Sequence, residues 1–218
     1  FSVSSNRYVA NSNELYLYLT EDLDLTYSIN LNDGQTIHLC LNGYDLMHSK
    51  TPNPVMRVWG DLDITDCSAG RDGQVIGYRT GESPCLYIQH WVTGTTWASP
   101  TVNLFAGTLT AKDGDSSTNA GVIQLGNKVN DNEPNLATLN MYGGKICGGH
   151  GKLGGNLYIH NSNCVFNMFG GEITGGTTSS YGADIYSPSN ASVTLGGTIT
   201  IGEYYSNAIV LKLQNLNA

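Results

Sequence analysis

The chain has 218 residues, enough for one sizeable domain or at most two small ones. Charged residues make up 13%, about half the share in a typical globular domain, while Gly reaches 27 and Asn, Thr and Ser are abundant, which favours short strands and tight turns over helices. With a formal net charge of −8 and ten Lys and Arg in total, the chain lacks the basic footprint of a nucleic-acid binder, and no apolar run approaches the roughly 18 residues of a membrane span.

The opening "FSVSSNRYVA" has no Met and no charged segment leading into an apolar one, so it reads as the start of a processed product, with residues 1–13 expected to form an N-terminal segment or cap. From 15 to 46 the chain alternates almost throughout, with Leu15, Leu17 and Leu19, then Leu23 and Leu25, then Ile37, Leu39 and Leu41 on one face. "VMRVWGDLDITDCSAGRDGQVIG" (55–77) continues in the same manner, with Leu62 and Ile64 pointing in and Asp61 and Asp63 out.

Beyond residue 100 one phrase recurs: "VNLFAGTLTA" (102–111), "LNMYGGKICG" (139–148), "FNMFGGEITG" (166–175) and "VTLGGTITI" (193–201), the last one residue shorter. A second short strand precedes each, at 86–90, 122–126, 157–161 and 184–188, and "IVLKL" (209–213) begins another. Period-two alternation places Leu139, Met141 and Ile146 inward, with Asn140, Tyr142 and Lys145 outward. The Gly-Gly pair lets the backbone bend where a Cβ would clash. One phrase every 26–37 residues with no helix between describes a stacked solenoid of six or seven coils, starting near residue 14 and expected to continue or be capped beyond 218.

"YLTEDLDLTYSINLNDGQTIHLCLNGYDL", "GDLDITDCSAGRDGQVIG" and "FNMFGGEITGG", in that order, resemble the right-handed parallel β-helix repeats of large secreted or cell-surface proteins of Gram-positive anaerobic bacteria. The resemblance implies an all-β, right-handed single-stranded parallel β-helix over residues 14–218 and an extracellular, modular setting. It implies little about activity, because fold does not give function.

In such a stack, equivalent positions form ladders. Asn103, Asn140, Asn167 and Thr194 are expected in one outward row, and Thr108, Lys145, Glu172 and Thr198 in another, with Lys145 paired to Glu172. Phe105, Tyr142 and Phe169 form an aromatic row, and Tyr87, Tyr158 and Tyr186 share an outward position on the preceding strand. Exposed rings in line make a platform for sugars, although the same rings serve equally to cover neighbouring coils. Two longer segments, 90–101 and 126–137, would set Trp91 and Trp97 beside Asn130, Asp131 and Glu133, a mixture suited to a carbohydrate cleft.

Catalytic signals are thinner. A glycosidase needs two carboxyl groups across a cleft, and Asp131 with Glu133 is the least unsuitable pair. β-Helical uronate lyases combine clustered acidic calcium ligands with Arg or Lys bases, and no matching set occurs here. "KDGDSS" (112–117) offers Asp113 and Asp115 as weak Ca²⁺ ligands, but without the spacing of a known calcium loop. Five Cys show no zinc spacing; one disulfide can form, and the odd count leaves at least one sulfur unpaired. His160 is expected to face solvent. The reading that follows is a non-catalytic extracellular module for adhesion or glycan binding, its partner a polysaccharide or a surface protein. A carbohydrate-active enzyme and a structural stalk are the alternatives.

Overall fold

The computed structural model of the protein describes residues 2–4, 7–78, 84–89, 92–93, 96–112, 119–127, 137–188, 191–206 and 211–213. Among them the fold is all-β, with no helix. Nearly all strands lie in two large sheets, one of nine strands and one of thirteen, and nearly all pairings are parallel. The exceptions are Ser2–Ser4 on Arg7–Val9 and the hairpin Val92–Thr93 with Thr96–Trp97, both antiparallel.

The chain visits three ladders in a fixed order. The first ladder contains Arg7–Val9, Ile29–Leu31, Met56–Val58, Leu86–Ile88, Ile123–Leu125, Leu157–Ile159, Ile185–Ser187 and Tyr204–Ser206. The second starts at Glu14–Tyr18 and runs through Thr36–Cys40, Asp61–Thr65, Thr101–Leu104 and Thr138–Met141 to Val165–Thr174, then Ser192–Ile201 and Leu211–Leu213. The third runs from Leu23–Asp24 through Asp45–His48, Gln74–Tyr78, Thr108–Lys112 and Lys145–Cys147. It joins the second in the ten-residue strand Val165–Thr174, whose two halves pair with both, so the thirteen-stranded sheet is strongly curled.

Alternation explains the core. In the second ladder Ile37, Leu62, Val102, Leu139 and Phe166 are in register and fully buried, as are Ile64, Leu104, Met141 and Met168 two residues on. Leu46, Val75, Leu109, Ile146 and Ile173 from the third ladder, and Met56, Leu86, Ile123, Leu157 and Ile185 from the first, complete one apolar cluster. Each such side chain contributes about 1.5–3 kcal/mol by leaving water. Leu15, Leu17 and Leu19 are only half-buried, and Leu23 is exposed, because among the described residues their strands lie at the ends of the thirteen-stranded sheet, each paired on one side.

The bend between second and third ladders falls on the repeated glycines. Gly107, Gly144 and Gly171 have φ of +88°, +75° and +94°. A Cβ on Gly144 would stand 2.7 Å from the Gly107 carbonyl oxygen, and one on Gly171 2.5 Å from that of Gly144. Here glycine is required by both backbone conformation and close approach. Buried carboxylates hold other corners. Asp66 accepts from the backbone N–H groups of Gly43, Ser68 and Gly73 at 2.7–3.0 Å, and Asp184 from those of Gly176 and Glu203 and from Asn156 Nδ2. Burial works to raise the Asp66 pKa, but the donors outweigh it and hold the carboxyl below its ordinary value.

The last repeat departs from the sequence expectation. Met168 pairs with Leu195 but Gly170 pairs with Thr198, so Gly196 and Gly197 together oppose Phe169. The segment is one residue longer than its partner here, a β-bulge, and not one shorter. Thr200, rather than Thr198, therefore stands beside Glu172, while the expected Thr108–Lys145–Glu172 register holds.

Candidate binding face on the second ladder

The outward positions of the second ladder form two adjacent rows. The first is Tyr16, His38, Asp63, Asn103, Asn140, Asn167 and Thr194, all in register. Asn167 Nδ2 donates to Asn140 Oδ1 at 2.8 Å, Asn140 Nδ2 to Asn103 Oδ1 at 2.9 Å, and Asn103 Nδ2 to Asp63 Oδ1 at 2.7 Å. All three bonds point the same way, so their dipoles reinforce one another and terminate on a carboxylate. Each amide spends one of its two N–H groups on this line.

At the acidic end, His38 lies between two carboxylates, with Nδ1 2.8 Å from Asp63 Oδ2 and Nε2 3.3 Å from Glu14 Oε1. Both contacts are hydrogen bonds at once only when the imidazole carries both protons. Tyr16 stacks on the His38 ring at 4.5 Å and donates its hydroxyl to Glu14 Oε1 at 2.8 Å. That hydroxyl, with His38 second, holds the Glu14 carboxyl below its ordinary value, and Glu14 in turn raises the pKa of Tyr16.

The second row begins with Tyr18, Cys40 and Thr65 and continues into Phe105, Tyr142 and Phe169. Phe105 and Tyr142 stack at 5.1 Å with their planes 9° apart, and Tyr142 and Phe169 at 5.7 Å and 27°. Phe105 is 43% exposed and Tyr142 47%, so the stack presents ring surface to solvent beside the amide line. Between Tyr18 and Phe105 the row is occupied by small groups: Thr65 and Cys40, which is disulfide-bonded to Cys67. The result is a cleft of about 500 Å³ lined by Tyr16, Tyr18, His38, Asp63, Thr65 and Phe105.

No family model, curated protein or solved structure matches this chain.

The other expected site residues fall differently. On the first ladder Tyr87, Tyr158 and Tyr186 do share one register, but Gln124 stands between Tyr87 and Tyr158 and donates to the Tyr87 hydroxyl at 3.0 Å. Tyr158 is buried at 7% exposure, which pushes its hydroxyl up to about 12, so this row is not an open platform. Arg57 lies over the Tyr87 ring at 5.7 Å, and Tyr205 extends the line past Tyr186. His160 is half-buried in a T-shaped ring contact with Tyr158, where the sequence suggested solvent.

Trp97 belongs to the strand Thr96–Trp97, paired with Val92–Thr93. Trp91, Asn130, Asp131 and Glu133 lie outside the described residues, as do Asp113 and Asp115, so the loop cleft, the acid pair and the Ca²⁺ ligands rest on sequence alone. Among the described residues no group of three His, Cys, Asp or Glu is arranged to hold a metal. Lys145 Nζ and Glu172 Oε1 form the expected ion pair at 3.0 Å.

Sequence reasoning missed Glu14, Tyr16, Tyr18 and His38 as parts of a face, and read Asp63 only as alternation. The signal was present: Leu15, Leu17, Ile37 and Leu39 point inward, so Tyr16 and His38 must point out, in line with the Asn row.

Proposed function

We propose that this chain is a right-handed, single-stranded parallel β-helix of a secreted or cell-surface protein, and that it binds a glycan along the outer face of the second ladder. The order in which the chain visits its ladders supports the β-helix, and the resemblance of its repeats to bacterial surface proteins supports the setting. One observation carries the binding reading: the stack of exposed Phe105 and Tyr142 with half-buried Phe169 runs directly beside the amide line of Asn103, Asn140 and Asn167. Pyranose rings present C–H faces that pack on aromatic surfaces and hydroxyl rims that pair with amides. A binding face for them needs both in parallel, at a spacing repeated along an axis. Side-chain ladders fixed by a sheet are preorganised, so little conformational entropy is lost when a rigid polymer settles on them.

A glycan array with the purified domain tests the reading. Defined binding is expected, and Tyr142→Ala is expected to weaken it at least about tenfold, the loss of one ring contact of 0.5–1.5 kcal/mol plus its buried area. The circular dichroism spectrum should not change, because Tyr142 is exposed. A blank array for a well-folded sample would reject the glycan and leave a structural stalk or a protein partner.

A further inference from the structure

We propose that the cleft at the Tyr16 end of this face selects a protonated primary amine carried on the glycan, that is, an amino sugar whose nitrogen is not acetylated. The inference rests on the glycan-binding reading and adds a charge preference to it. Its basis is the distribution of charge along the face. From Glu14 to Thr194 the outward positions of the second ladder carry three carboxylates, Glu14, Asp61 and Asp63, and no Lys or Arg. All three sit at the cleft end, and from Thr101 onward the outward positions are Asn, Thr, Ser, Val and aromatic. His38 is the one cationisable group among them, and it is shared between Glu14 and Asp63. Even with His38 charged, Glu14, Asp61 and Asp63 together leave this end of the face net negative.

Ammonium matches the lining in three ways. It has three donors and no acceptor, and the lining offers it the Asp63 carboxylate, which when ionised only accepts, with Glu14 one hydrogen bond behind on Tyr16 and His38. Asp63 uses each oxygen once, toward Asn103 and His38, and keeps a lone pair on each. Tyr18, 60% exposed, and Phe105 line the same space and offer it aromatic surface, with Tyr16 stacked on His38 at its side. A uronate or sulfated sugar would be repelled here, and a neutral sugar would gain hydroxyl-to-carboxylate hydrogen bonds without the charge attraction. The neutral amide and aromatic rows beyond the cleft would take the rest of the chain, so charge is read at one end and ring shape along the length.

The test is calorimetric titration of the domain with four oligosaccharides of equal length: free-amine glucosamine, N-acetylglucosamine, β-linked glucose and galacturonate. Each is run at low and high salt, below the pKa of the amine. The free-amine oligomer is expected to bind at least about tenfold more tightly than the acetylated and neutral ones, the worth of one charge-assisted hydrogen bond. That advantage should shrink with salt and disappear in Glu14→Gln and Asp63→Asn. Glu14 is exposed and its substitution leaves the core untouched, so it carries the test even where Asp63→Asn disturbs the amide line. Equal affinity for the amine, acetylated and neutral oligomers, abolished by Tyr142→Ala, would overturn the charge preference and leave glycan binding standing. Preference for galacturonate, or an amine preference unchanged in folded Glu14→Gln and Tyr16→Ala, would also overturn it. Binding of none of the four would remove the glycan reading together with this one, and a lysine-rich peptide binding in their place would assign the face to a protein partner.

Discussion

Asn140 sits in the middle of the amide line, donating to Asn103 and accepting from Asn167. Asn140→Ala removes both bonds and leaves one donor and one acceptor without their partners in a half-buried row. The expected cost is about 1–3 kcal/mol, measured by urea unfolding. The same substitution at Thr194, the end of the row, should cost less, since no amide bond of the line ends there. A second residue-scale expectation concerns sulfur. Burial pushes the Cys85 and Cys164 thiols up to about 12 and raises that of half-buried Cys147, while Cys40 and Cys67 are joined. Thiolate is the reactive form, so the native protein should react very slowly with a disulfide reagent near neutral pH. Three thiols should titrate in denaturant and five after reduction; a fast native thiol would contradict the placement of the cysteine that carries it.

At the scale of single elements, the bends between the second and third ladders depend on glycine for two separable reasons. Gly144 combines a φ of +75° with a backbone oxygen 2.7 Å from any added Cβ, whereas Gly34 and Gly175 have φ of +73° and +70° with nothing within 4 Å. Gly34→Ala and Gly175→Ala are therefore expected to cost the conformational penalty alone, about 1 kcal/mol. Gly144→Ala should cost several kcal/mol, because the obstacle is backbone and cannot turn aside. Equal losses at the three positions would mean that the repeated phrase needs glycine only for its dihedral. Lys145 and Glu172 join neighbouring strands of the third ladder, and their pKa values move in opposite directions. That of Glu172 is lowered, first by the Thr174 hydroxyl and then by Lys145, so its contribution is present above the ordinary carboxylate range and is lost as pH falls through the lowered value. That of Lys145 is raised by Glu172, so its contribution is lost as pH rises through a value above 10.5. Glu172→Gln should then narrow the stability difference from wild type at both pH extremes, and most of the effect should vanish in high salt.

Elements were legible in the sequence wherever local alternation decided them. Leu139, Met141 and Ile146 were placed correctly because each lies on a strand with one apolar face, and Phe105, Tyr142 and Phe169 because three nearly identical phrases align without ambiguity. Two glycines without side chains cannot report register, which is why the bulge at Gly196 and Gly197 read as a deletion. Burial of Tyr158 was illegible for another reason: alternation gives the side of a strand, and what packs over the outer side is a long-range matter. The cleft was missed because the first third of the chain lacks the repeated phrase, so Tyr16, His38 and Asp63 carried no label tying them to Asn103.

At the scale of the whole molecule, the described strands of each ladder pair with their neighbours along that ladder, so stability is built from neighbour terms and the ends are the weakest part. At the Glu14–Tyr18 end, among the described residues, Tyr8, Leu17, Leu19, Leu25 and Leu46 line a hollow of about 350 Å³. The cleft shares Leu17, Tyr18 and Leu39 with that hollow, so the proposed charge-reading site sits on the least secured part of the stack. The Cys40–Cys67 disulfide, closing 27 residues, lies in the same region and ties the second strand of this ladder to the segment after the third. A loop of that size contributes about 3–4 kcal/mol by restricting the unfolded chain. Reduction, or Cys67→Ser, is therefore expected to loosen this end before the rest. Amide exchange should speed up first in Glu14–Tyr18 and Thr36–Cys40 while Thr138–Met141 keeps its protection, and a glycan held along Tyr142 should survive after any amine preference at Asp63 has gone. Uniform loss of protection along all three ladders would show instead that the stack unfolds as one cooperative unit, with the disulfide acting on the whole of it.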